Sequence, residues 1–217
     1  MGRLPSGLQI LERNDCELCR SQGNVATVKT FEAHDAKVII ADIQDAAGDL
    51  LARELGGPDT ARFIHCNVSH EERVAAVVDL SVSAYGGLHA ITGVKHAARV
   101  MKPMQTGCII TTASMAAHVA VSPTAYTTFK HALLGLSRSA ALELRDFNIR
   151  AKRVCPGMIR TSIWNELAQT TSVSQDMAGP FCIANAALFL ASDDSSFVNS
   201  GDLASMISMI NGFLNLF

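Results

Sequence analysis

The sequence predicts an α/β fold: a Rossmann-like, doubly wound, mostly parallel sheet in a single domain over 1–217. Three observations carry that expectation. Strand-like runs recur at Ala36–Ala41, Arg62–Val68, Gly107–Ser114 and Asn148–Cys155. Segments with helical spacing lie between them. Breaks at Gly56-Gly57-Pro58, Gly86-Gly87 and Pro156-Gly157 punctuate the alternation.

Residues 1–22 form a divergent N-terminal segment, in which only Gly7–Leu11 reads as a short strand. Val25, Val28 and Phe31 then recur with helical spacing between Asn24 and His34. Ala36–Ala41 is nearly continuous apolar sequence closed by Asp42, the pattern of a parallel strand covered on both faces. Asp45–Leu55 returns to helical spacing. After the Arg62–Val68 strand, Ser69 and Glu72 make a capping-box signature for a helix running to about Ala84. Leu88–Thr92 reads either as a short strand or as the lead-in to a helix over Val94–Met101. Gly107–Ser114 is the next strand, and Ser122-Pro123 opens a helix to about Leu144, with Ser122 as the expected cap. Asn148–Cys155 is a strand, Met158–Leu167 a helix and Thr170–Pro180 a loop. Ile183–Ala191 is a helix and Ala204–Ile210 the last strand.

Composition narrows the function. Hydrophobic residues are 48% and charged residues 18%, which suits a globular core and not disorder. A net charge of −2 without a dense Lys/Arg cluster gives no nucleic-acid footprint. No apolar run reaches membrane-span length, and the N-terminus lacks an apolar signal segment, so the expected location is cytoplasmic. The six cysteines are scattered; Cys66, Cys108 and Cys155 fall in or beside strands as small buried hydrophobes. Cys16 and Cys19 have metal-ligand spacing but no second Cys/His pair at zinc-finger distance, so no metal site is expected.

The chemistry concentrates in Ser114, Tyr126 and Lys130. Tyr126 and Lys130 are four residues apart on a helix, so phenol and ammonium share a face. A lysine beside a tyrosine favours the phenolate, which suits the phenol to moving a proton near neutral pH. Ser114, at the tip of the preceding strand, is placed to hydrogen-bond a substrate oxygen.

Together with the runs Ala36–Gln44, Gly93–Met101, Ala125–Ala132 and Asn185–Asp193, these residues resemble the short-chain dehydrogenase/reductase family. The resemblance is to the plant branch of secoisolariciresinol dehydrogenase-like and xanthoxin dehydrogenase-like enzymes. It implies Tyr126 as general acid/base, Lys130 as its modulator and ribose ligand, and Ser114 as the group orienting substrate. It implies Asp42 on the adenosine ribose, Asn67 and Val68 bordering the adenine, and Pro156, Gly157, Ile159 and Thr161 at the nicotinamide. A carboxylate at Asp42 favours NAD over NADP. The implied substrate is a small apolar secondary alcohol or ketone, and the implied assembly is a homo-oligomer.

The chain also departs from the family pattern. Where a glycine-rich phosphate turn belongs, Cys19–Asn24 holds one glycine, which predicts weakened binding of the dinucleotide. Between Leu88 and Gly93 the family's strand, Asn-bearing turn and half-helix are missing, so no residue takes the catalytic Asn role. The central strands are therefore expected to be incomplete or substituted by Leu8–Leu11 and Leu88–Thr92. Ser114 precedes Tyr126 by twelve positions, one fewer than the family spacing. These departures define the alternative: a truncated, non-catalytic member acting by association with a homologue.

Overall fold

Strands and helices alternate in the computed structural model, which describes residues 9–12, 22–86, 89–90, 93–120, 122–160 and 178–204. The strands are β1 (Gln9–Glu12), β2 (Val38–Asp42), β3 (Ala61–His65), β4 (His89–Ala90), β5 (Gly107–Thr112), β6 (Ile149–Cys155) and β7 (Asp202–Ala204). The helices are α1 (Gln22–Glu32), α2 (Asp45–Glu54), α3 (Glu71–Tyr85), α4 (Val94–Met104), α5 (Thr124–Leu144) and α6 (Pro180–Ala191). All seven strands form one sheet in the order β3-β2-β1-β4-β5-β6-β7. Every neighbouring pair is parallel. The order turns back on itself between β1 and β4, the place where open parallel sheets of this kind form a ligand crevice.

The two short central stretches do substitute for full strands. β1 pairs with β2 from Gln9↔Val38 to Glu12↔Ala41 and with β4 at Gln9↔His89 and Ile10↔Ala90. The join between β4 and β5 is one residue pair, Ala90↔Ile109. The sheet is thus continuous, but thinnest at the crevice.

Side chains alternate across the pleat and build two cores. Ile39, Ile109, Ile149 and Ala151 pack with Val77, Ala97, Met101, Ala140 and Leu144 from α3, α4 and α5. Val38, Ile40, Ile110 and Val154 pack on the other face with Val28, Phe31, Ala52 and Leu188 from α1, α2 and α6. Phe31 is fully buried, which is worth about 1.5–3 kcal/mol of apolar burial. α2 lies close on β3 because a side chain at Gly48 would occupy the Phe63 ring.

Several local expectations are corrected. α3 begins after His70, and its cap has no side-chain hydrogen bond, so Ser69 and Glu72 form no capping box. Asn67 takes that corner instead: its Oδ1 accepts the Ser69 N–H at 2.9 Å, closing an Asx turn. The cap of α5 is Pro123 and not Ser122, whose carbonyl accepts from the Thr127 hydroxyl at 2.9 Å. β5 stops at Thr112, two residues before Ser114. β7 starts at Asp202, earlier than the expected Ala204. Of the helix expected at Met158–Leu167, Met158–Arg160 are not helical, with Ile159 in a parallel bridge to Ala178; its remainder and most of the Thr170–Pro180 loop lie outside the described residues.

β6 is tied to the end of α6 by two cations. Lys152 is fully buried, and its ammonium donates to Leu190 O at 2.8 Å and to Ser195 O and Oγ at 2.7 Å each. Arg150 donates to Leu190 O at 3.3 Å and Ser195 O at 3.1 Å. Burial pushes the Lys152 ammonium down to about 8, and the neighbouring Arg150 charge adds to the fall. Above pH 8 the folded chain therefore holds fewer protons than the unfolded chain, so stability rises with pH there. Burial holds the Cys108 thiol above its ordinary range, which works in the opposite sense above pH 9. Comparison with a Lys152→Met variant isolates the lysine. In urea unfolding, wild-type stability relative to that variant should rise by about 0.8 kcal/mol between pH 7 and 8.5. A flat difference would show that Lys152 keeps its charge at both pH values, and a rise of about 2 kcal/mol that it is neutral at both.

Candidate active site

Three segments meet beyond the C-terminal ends of β5 and β6: the corner Ala113–His118, the first two turns of α5, and Pro156-Gly157. The corner is fixed by backbone. Ala113 N donates to Val154 O at 2.8 Å, and Met115 N donates to Pro156 O at 2.9 Å. A single 3-10 turn over Met115–Ala117 follows, capped by Ser114, whose Oγ accepts the Ala116 N–H at 3.2 Å. Capping uses one lone pair of Oγ and leaves its O–H and a second lone pair for another partner. Ser114 is half-buried.

Tyr126 lies in the first turn of α5 and Lys130 one turn later. Lys130 is buried, and its Nζ donates to Thr112 O at 3.2 Å, at the end of β5. The ammonium stands 5.5 Å from the Tyr126 ring centroid and 5.8 Å from that of Phe129. The strand-end carbonyl thus holds a positive charge beside the phenol. Ser114, Tyr126, Lys130, Pro156 and Gly157 fall within this one region. Ile159 is buried and bridges to Ala178 through its backbone; Thr161 lies outside the described residues.

Asp42, Asn67 and Val68 stand at the C-terminal ends of β2 and β3. Asp42 is 5% exposed, and its Oδ1 accepts the Gln44 N–H at 3.0 Å. Its carbonyl accepts from Cys66 N at 3.0 Å, which joins the two strand ends. From β2 to β5 the sheet takes three steps, about 14 Å at the usual strand spacing.

Sequence reasoning missed a second polar group beneath this corner. Arg153 on β6 is fully buried; Nε donates to Asp202 Oδ1 of β7 and Nη2 donates to Ser200 O at 2.6 Å. His118 Nε2 lies 3.5 Å from Asp202 Oδ2, so this histidine points at β7. Burial, with the Asp202 carboxylate adding to it, pushes the Cys155 thiol up to about 11. Cys155 therefore stays protonated beside the corner and is no nucleophile. The one signal available was two adjacent charges, Lys152 and Arg153, inside a strand-like run. Cys66, Cys108 and Cys155 are buried free thiols as expected, while Cys182 is exposed. No group of three metal-ligating side chains occurs among the described residues.

A family profile described as enoyl-(acyl carrier protein) reductase matches residues 24–92 and 89–205. The chain belongs to the short-chain dehydrogenase/reductase family. Among its relatives, short chain aldehyde dehydrogenase 1 of Euphorbia lathyris is 35% identical, over 82% of this chain and 80% of that protein. (+)-Borneol dehydrogenase 1 of Salvia officinalis is 34% identical, over 82% and 85%. Secoisolariciresinol dehydrogenase of Forsythia intermedia is 34% identical, over 82% and 81%. This short-chain dehydrogenase/reductase is thus an oxidoreductase-family chain whose dehydrogenase relatives are plant proteins. Family members generally use a nicotinamide dinucleotide. Among the described residues no helix is long and apolar enough to cross a membrane.

Proposed function

We propose that the chain is an NAD-dependent oxidoreductase moving hydride at a secondary alcohol or ketone of a small apolar metabolite, with Tyr126 as general acid/base. The supporting observation is the Lys130 ammonium, fixed by Thr112 O beside the Tyr126 ring. In the oxidising direction the phenolate of Tyr126 takes the alcohol proton, and Ser114 Oγ donates to the developing carbonyl oxygen. Lys130 holds positive charge against the phenolate and offers N–H groups to a ribose. The bound nicotinamide supplies the hydride acceptor. In the reducing direction Tyr126 returns the proton to the alkoxide. Names of relatives such as borneol and secoisolariciresinol dehydrogenase favour an oxygenated, largely apolar metabolite.

The donor set suits both ends of NAD. Asp42 would meet the ribose hydroxyls, Asn67 and Val68 would border the adenine, and Pro156, Gly157, Ile159 and Thr161 would meet the carboxamide. The cytoplasm and a homo-oligomer complete the reading.

A second reading, a truncated and non-catalytic member associating with a homologue, rests on two features. Gly23 falls within α1, so positions 13–21 ahead of that helix contain no glycine to let backbone approach a pyrophosphate. The family match is also split at 89–92, where β4 is two residues long. Calorimetric titration with NAD separates the readings. Micromolar binding that is lost in Asp42→Ala and kept in Tyr126→Phe supports the enzyme. No heat at millimolar NAD overturns it.

A further inference from the structure

The corner that presents Ser114 is held differently at its two ends. Its start is bonded to the tip of β6, where Ala113 N donates to Val154 O at 2.8 Å and Met115 N to Pro156 O at 2.9 Å. The turn that follows spans only Met115–Ala117. Its own bonds are Ala117 N to Ser114 O at 3.0 Å and His118 N to Met115 O at 2.8 Å. An isolated helical turn is unfavourable, so this one needs an anchor at its far end. Ser114 Oγ accepts the Ala116 N–H at 3.2 Å, and the direction of the hydroxyl therefore depends on the turn staying formed.

His118 supplies that anchor. Its Nε2 stands 3.5 Å from Asp202 Oδ2 on the edge strand β7. The other oxygen of the carboxylate, Oδ1, accepts from Nε of the fully buried Arg153. Nη2 of the same guanidinium donates to Ser200 O at 2.6 Å, on the chain leading into β7. With Oδ1 engaged by Arg153, the carboxylate turns Oδ2 to the corner. Arg153 and Cys155 share a face of β6 by alternation, and Cys155 packs with Ala113, Ala117 and Leu134. The ion pair thus lies in the layer beneath the turn. A buried ion pair adds little net stability over an apolar pair of similar volume; what this one adds is direction.

We propose that His118 and Asp202, oriented by Arg153, are positioning residues for Ser114; this rests on the reading of Ser114 as the donor to the substrate oxygen. Their effect passes through the turn. Asp202 holds His118, His118 closes the turn on Met115 O, and the closed turn keeps the Ala116 N–H on one lone pair of Ser114 Oγ. The Ser114 O–H is then left in one direction for the reacting oxygen. The side chain of His118 is 37% exposed, so replacing it disturbs the corner and leaves the core packing in place.

The test compares wild type, His118→Ala, His118→Gln and Asp202→Asn as full chains by NMR, without nucleotide. Glutamine keeps an N–H at the reach of the imidazole Nε2. Ser114 Hα–Hβ couplings should report one χ1 rotamer in wild type and His118→Gln, and an average in His118→Ala and Asp202→Asn. Amide exchange at Ala116 and Ala117 should quicken about tenfold in those two and stay within about twofold at Val154 and Cys155. The double variant His118→Ala/Asp202→Asn should loosen Ser114 no further than either alone, since all three break one contact. With NAD and borneol, His118→Ala should lose about tenfold in kcat at unchanged NAD affinity, and His118→Gln should recover it. A single Ser114 rotamer in His118→Ala, exchange quickened across β6 as well, or no recovery by glutamine would each overturn the proposal. A wild-type chain that binds no NAD would overturn the enzyme reading instead, and the couplings and exchange would still decide whether His118 holds Ser114.

Discussion

A Tyr126→Phe chain is expected to bind NAD like wild type and to reduce a ketone about 10²–10⁴-fold more slowly, the usual loss when a positioned proton donor is removed. The substitution keeps the ring that faces Lys130 Nζ at 5.5 Å and deletes only the hydroxyl. The hydrogen bond from Lys130 to Thr112 O does not involve that hydroxyl and should persist. Binding and turnover therefore separate in this variant. Lys130→Met should impair both, since it removes the ribose donor and the charge beside the phenol. Measurements of kcat and of NAD affinity on the two variants check the assignment. A Tyr126→Phe enzyme keeping more than about a tenth of wild-type kcat would place the proton donor elsewhere.

How far the sequence reaches depends on the range of the forces that fix each element. β2, β5 and β6 are runs whose side chains meet core on both faces, so their own composition declares them. β1 and β4 carry four and two residues, and their state is imposed by neighbouring strands across the sheet. Local composition marks such strands only weakly. The Tyr126/Lys130 pair was legible because helical spacing alone brings the two side chains to one face. Its anchor, Thr112 O, was not, since backbone carbonyls carry no sequence signal. The Asx turn at Asn67 displaced a capping box that pattern alone favours equally, because the chain's exit from β3 decides which side chain reaches the corner. Arg153 and Lys152 find partners at Asp202 and Ser195, on the far side of α6 in sequence, so their burial could not be foreseen locally.

The Arg153–Asp202 pair bears the largest expected effect on stability. The two residues are Cα partners across β6 and β7, with Arg153 fully buried and Asp202 at 18% side-chain exposure. Nη1 of Arg153 is buried with no hydrogen-bond partner among the described residues, so the guanidinium depends on Asp202 and Ser200 O for compensation. Asp202→Ala leaves that charge in place without its counter-ion and should cost about 3–5 kcal/mol. Arg153→Met should cost less, because it removes the charge along with the orphaned nitrogen. The double variant Arg153→Met/Asp202→Ala should then be at least about 2 kcal/mol more stable than Asp202→Ala alone, a coupling readable by urea unfolding of all four chains. An Asp202→Ala midpoint near wild type would mean that water reaches Arg153. Asp202 also faces His118, at the end of the corner that Ser114 opens. Losing the carboxylate therefore frees both the edge strand and the corner, and Asp202→Ala should loosen Ser114 more than Arg153→Met does.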